Sequence, residues 1–181
     1  MIYVFLANGF EENEALVTVD LLRRAGLELR TVAVGGDNKV TGAHGIPVIA
    51  DIKDTEFCDI MPEVVILPGG MPGTENLDQS LTVQVALLDA MRRGNLVCAI
   101  CAAPMILGKL GYLEGKRATC FPGFEQYLEG ATVVDERVVR DGNVITAKGM
   151  GCANEFALAI IEAICGKEKA DEVASTAFIE N

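Results

Sequence analysis

Short apolar runs alternate with amphipathic stretches along this chain, and no other feature restricts its fold as tightly. Ile2–Leu6, Leu29–Val34, Val64–Leu67, Leu96–Ile100 and Val144–Ala147 have strand length and strand composition. Glu12–Ala25, Leu81–Arg93, Ala102–Leu110, Cys152–Cys165 and Lys167–Thr176 carry the 3.6-residue apolar spacing of helices. This βαβα rhythm predicts an α/β fold, with a mostly parallel sheet and helices on both faces. Val138-Val139-Arg140 and Val144-Ile145-Thr146 flank Asp141-Gly142-Asn143, which reads as a hairpin near the end of the sheet. With no linker, repeat or low-complexity tract, the 181 residues are expected to form a single domain over 1–181.

In an open parallel sheet, ligands bind beyond the carboxyl ends of the strands. The segments that matter are therefore Ala7–Glu14, Pro68–Asn76, Cys101–Pro104 and Lys148–Asn154. Cys101 stands out among them, because it ends a strand and opens a helix-like segment with Ala102 and Ala103 beside it. Backbone N–H groups and the positive end of a helix favour a thiolate there, and small neighbours suit the sharp turn of a nucleophile elbow. A buried, inert cysteine has the same local sequence.

Glu14 falls in the middle of the apolar stripe Val17, Leu21 and Ala25, so its carboxyl is expected to point inward with a raised pKa and to donate to a neighbouring thiolate. The alternative is a buried carboxyl satisfied by loop backbone. Glu12 falls toward the charged side with Arg23 and suits an ordinary place at a helix start. Gly69 and Gly70 end a strand where the backbone can approach a ligand, and the N–H groups of Gly70 and Ala102 could form an oxyanion hole. Pro-Gly-Gly alone is more often a turn, and Lys148-Gly149-Met150-Gly151 reads as a tight turn before a helix whose N-cap could be Asn154.

A net charge of −11 argues against nucleic acid or an anionic membrane surface as partner. The N-terminal segment has no basic leader and too short an apolar run for a signal peptide or span, so a cytoplasmic protein is expected. The six cysteines lack the spacing of a disulfide framework, and reduced thiols are the default. Cys98 and Cys101 have redox-motif spacing, but Cys98 falls inside the strand, where an extended segment holds the pair apart. With His44 as the sole histidine and no second Cys-x-x-Cys, no metal is assigned, and no cofactor is called for.

Four segments together resemble the ThiJ/PfpI family, in the branch that includes the parkinsonism-associated protein deglycase and its bacterial relatives. They are Gly9-Phe10-Glu11-Glu12-Asn13-Glu14, Leu67-Pro68-Gly69-Gly70, Ala99-Ile100-Cys101-Ala102-Ala103-Pro104, and Gly149 to Phe156. The resemblance implies a flavodoxin-like three-layer sandwich, a homodimer, Cys101 as the reactive residue, Glu14 as the protonated glutamate at its sulfur, and Gly70 and Ala102 as backbone donors. Relatives with a histidine near the cysteine carry it where this chain has Phe121, a departure that argues against a Cys-His pair and, with it, a protease activity. His44 falls where some members carry an arginine that reaches toward the site, so His44, with Gly69 and Gly149, is a candidate substrate contact. Two functions follow as expectations. One is a cofactor-independent glyoxalase or deglycase acting on small α-oxoaldehydes or their protein adducts. The other is a redox-responsive protective or chaperone-like protein that meets oxidative stress through Cys101.

Overall fold

The computed structural model describes residues 1–58 and 61–179. In chain order its elements are β1 (Ile2–Ala7), α1 (Glu12–Arg24), β2 (Leu29–Val34), β3 (Lys39–Thr41), β4 (Pro47–Ile49), β5 (Ile52–Lys53), β6 (Val64–Leu67), α2 (Gly73–Asp78), α3 (Leu81–Arg93), β7 (Leu96–Ile100), α4 (Pro104–Lys109), β8 (Arg117–Ala118), β9 (Thr132–Val133), β10 (Val138–Asp141), β11 (Val144–Ala147), α5 (Ala153–Cys165) and α6 (Lys167–Thr176). Seven strands form one sheet in the order β10-β11-β7-β6-β1-β2-β5. All neighbours are parallel except β10 and β11, the antiparallel hairpin at the edge.

Side chains alternate across a strand, and on β1 both sets are buried. Ile2, Val4 and Leu6 enter one core with Leu22 of α1, Phe156 and Ile160 of α5 and Val173 of α6. Tyr3, Phe5 and Ala7 enter the other with Val83 and Leu87 of α3 and Ile106 and Leu107 of α4. The result is the α/β/α sandwich that continuous apolar strands demand. Phe156 is fully enclosed, and truncating such a side chain to alanine costs about 3–5 kcal/mol.

Helix ends follow their caps. α3 begins after Ser80, whose hydroxyl accepts from Val83 N–H, and ends at Gly94, which takes the left-handed φ of +70°. α5 departs from expectation: a short 3₁₀ turn, Met150–Cys152, leads into it, so Asn154 lies inside the helix rather than capping it. α4 starts at Pro104, not Ala102, because Cys101–Ala103 form a separate turn and Pro104 suits the first helical position. β1 sits between β2 and β6, so the crevice beyond the carboxyl ends of β1, β6 and β7 is the switch point of the sheet.

Candidate active site

Glu14 enters this crevice from the first turn of α1. Its backbone N–H is held by the Glu11 carboxylate at 2.7 Å, which makes Glu11 the N-cap. The side chain is 1 % exposed, and its Oε2 accepts from Gly69 N–H at 2.8 Å. A Cβ at position 69 would lie 2.6 Å from Cys101 Cβ and 2.8 Å from that Oε2, so only glycine lets β6 deliver its N–H to the carboxyl. Gly70 has φ +89° and is packed against the backbone of Gly9–Glu11, another position closed to a side chain. The second carboxyl oxygen, Oε1, is buried without a geometrically complete hydrogen bond.

Cys101 has φ +66°, uncommon for a residue with a Cβ and of order 1–3 kcal/mol above relaxed backbone. The conformation is held from both sides: Cys101 N–H donates to Ala147 C=O at 2.8 Å, and Cys101 C=O accepts from Phe121 N–H at 2.8 Å. This turn is a nucleophile elbow in shape. The N–H groups of Gly70 and Ala102 lie toward the Cys101 sulfur and favour its charged form.

The thiol and the carboxyl titrate as one unit. Burial, with the Glu11 charge, lifts Glu14 to about 7 against the pull of Gly69 N–H and Cys101. Burial, then the charge of an ionised Glu14 and its hydrogen bond, pushes the Cys101 thiol up to about 12 despite the Gly70 and Ala102 donors. The expected depressed thiol pKa is therefore not what the pair shows, because a second negative charge has no solvent to stabilise it. Two protons are held below about 7 and one above it. That single proton rests on the sulfur, whose pKa is the higher of the two, and a thiolate forms as the proton passes to the neighbouring carboxyl.

The structure thus brings Cys101, Glu14, Gly69, Gly70 and Ala102 together. Gly149 joins them, since a Cβ there would lie 3.9 Å from Cys101 Sγ and 3.3 Å from the Phe121 ring. His44 is placed differently. Its Nδ1 and its backbone N–H each bond Glu12 at 2.7 Å, and its side chain is 69 % exposed. Glu12, expected on the charged side, is 4 % exposed, because the 42–46 loop folds over it from 30 residues away. Burial alone would raise its pKa, but the His44 ring and backbone hydrogen bonds leave it lowered, and the same bond raises His44. Glu11, Glu12 and His44 are, among the described residues, a group with metal-ligating atoms within 4.8 Å. Those atoms already cap Glu14 and bind one another, so they make no case for an ion. Cys98 and Cys101 are both free thiols, with Cys98 fully buried in the sheet.

Residues 1–163 match the DJ-1/PfpI family, and the chain belongs to it. It is 39 % identical over 171 residues to protein DJ-1 homolog B of Arabidopsis thaliana, covering 93 % of this chain but only 39 % of that protein. Against protein dj-1beta of Drosophila melanogaster it is 39 % identical over 173 residues, 94 % of this chain and 92 % of the other. The glutathione-independent glyoxalase DJR-1.2 of Caenorhabditis elegans is 34 % identical over 165 residues, 90 % and 87 % of the two chains. In structure, Drosophila DJ-1beta superposes with a TM-score of 0.94 at 37 % identity over 99 % of this chain and 98 % of that one. Oxidized DJ-1 of Toxoplasma gondii superposes with a TM-score of 0.93 at 31 % identity over the same shares. No described helix is long and apolar enough to cross a membrane.

Proposed function

We propose that the protein is a cysteine-dependent enzyme acting on small α-oxoaldehydes, or on their adducts with protein amines and thiols, with Cys101 as nucleophile. The observation that carries this reading is the left-handed turn at Cys101, which sets the thiol beside the buried Glu14 carboxyl and next to the Gly70 and Ala102 backbone. With methylglyoxal, the thiolate forms a C–S bond to the aldehyde carbon while Glu14 gives its proton to the aldehyde oxygen. Gly70 and Ala102 N–H groups stabilise the charge as it moves from sulfur to that oxygen. The Glu14 carboxylate then removes the proton on that carbon and delivers it to the neighbouring keto carbon, while the hydroxyl proton on the former aldehyde oxygen passes to the keto oxygen. The aldehyde carbon is oxidised to a thioester and the ketone is reduced to an alcohol, so no outside redox partner is needed. Water cleaves the thioester to lactate and restores the thiol. A relative named as a glutathione-independent glyoxalase supports the substrate class.

A second reading is favoured by the relative whose structure is described as oxidized. There two equivalents of peroxide oxidise Cys101 through sulfenic to sulfinic acid, each reduced to water, and the product is held by the same N–H donors and by protonated Glu14 in a redox-responsive protein. Under either reading the protein acts as a cytoplasmic homodimer. Lactate formation from methylglyoxal by wild type and Cys101→Ser separates the two: turnover lost in the variant supports the enzyme, whereas peroxide sensitivity without turnover supports the sensor.

A further inference from the structure

Phe121 is placed to do more than cover the core. Its ring is 47 % exposed, yet its backbone is tied to Cys101 C=O at 2.8 Å. Ring and sulfur face one small gap, the one that a side chain on Gly149 would fill. From there an apolar surface runs outward: Phe124 meets Phe121 edge-on with centroids 6.5 Å apart, and Tyr127 follows at 6.1 Å. Beyond them Phe124 and Tyr127 border a groove of about 400 Å³ whose lining is mainly polar, with Glu75, Gln79 and Gln126 beside Met71 and Met105, so the aromatic contact nearest the thiol is Phe121 itself. The outer end is polar, with Lys109 over the Tyr127 ring at 5.4 Å and paired with Asp78 at 2.6 Å.

We propose that Phe121 is a specificity-determining residue, and that the surface from Phe121 to Tyr127 is a subsite for an aryl substituent on the keto carbon of the α-oxoaldehyde. The proposal rests on the reading of Cys101 as a nucleophile toward such aldehydes. A methyl group covers little of the Phe121 ring, whereas a phenyl group beside the carbonyl makes a full aromatic contact while its aldehyde carbon meets the sulfur. A polar ring such as histidine would offer a proton at this position. Phe121 offers only area, so it selects by size and apolarity.

Two matched probe pairs test this. Phenylglyoxal against methylglyoxal reads turnover, and 2-bromoacetophenone against bromoacetone reads alkylation of Cys101 by peptide mass without requiring turnover. In the alkylation a C–S bond forms as C–Br breaks, bromide leaves and the thiol proton passes to solvent. The alkylation ratio is normalised to exposed Cys165, which cancels the intrinsic reactivity of the probes. Phe121→Ala should lower the aryl-to-methyl ratio about 3- to 10-fold in both assays, the size of one aromatic contact. Phe121→Leu, which keeps an apolar side chain, should fall between. If wild type turns over neither aldehyde but keeps a Phe121-dependent aryl preference in alkylation, the subsite stands and the enzymatic reading falls. Robust turnover with ratios unchanged in both variants would overturn the subsite and leave the enzyme standing.

Discussion

Replacing Glu14 with glutamine should remove a pH dependence of stability whose sign and size the structure sets. The folded protein holds the Glu14 proton up to about 7, whereas an unfolded glutamate releases it near 4.5. Between those values the native state binds more protons than the unfolded state, so stability is greatest below about 4.5 and falls as pH rises through about 7. The displacement corresponds to about 3 kcal/mol, most of it lost between roughly pH 5 and 8. For a chain of this length that is about 6–12 °C in Tm. Glu14 is almost wholly enclosed, so solvent screening takes little from the figure. The assay is urea unfolding of wild type and Glu14→Gln at pH steps across this range. Groups remote from the pair, His44 among them, cancel in the difference curve, and the Cys101 thiol, pushed up to about 12, stays protonated in wild type across this range. Wild type should lose stability relative to the variant as pH rises, with a midpoint for the folded state near 7. Parallel curves would refute the claim that a buried carboxyl holds a proton beside the thiol.

The same pair governs reactivity. Alkylation of Cys101 by iodoacetamide should rise to a plateau near pH 7, where the pair drops to one proton. In Glu14→Gln the plateau should disappear, and peptide mapping at each pH reads both. Turnover of methylglyoxal should fall roughly 10²–10⁴-fold in Glu14→Gln, because glutamine donates a hydrogen bond but cannot take up and return a proton. Kinetics with unchanged turnover would leave Glu14 a structural carboxyl. Light scattering at micromolar concentration should give the mass of a homodimer, and a monomer mass would remove any partner contribution to the site.

Much of this architecture was readable from residue pattern alone, for a physical reason. Leu29–Val34, Val64–Leu67, Leu96–Ile100 and Val144–Ala147 are strands with the bounds their apolar runs imply. Their side chains are largely buried on both faces, so composition and burial coincide. The strands β3, β4, β5, β8 and β9 were not legible, being two or three residues long and mostly exposed or half-exposed. The site divides the same way. Glu14 points inward because helical periodicity within α1 decides it, and that periodicity is local. The same reasoning failed for Glu12, whose cover is a loop from elsewhere in the chain. Nor does local sequence show Phe121 bonded to Cys101 across the crevice, or the burial that raises the thiol pKa. A strand-to-helix cysteine suggests donors, while desolvation depends on what the whole fold brings around it.

The central claim is that Cys101 sulfur bonds covalently to the substrate carbon, and rapid acid quench of the protein with methylglyoxal tests it most directly. Peptide mass spectrometry of the quenched sample should find a lactoyl thioester on Cys101, formed and lost at rates that account for turnover, and absent from Cys101→Ser. Lactate released at an undiminished rate by Cys101→Ser, or by wild type with no modified Cys101 at any quench time, would contradict the account.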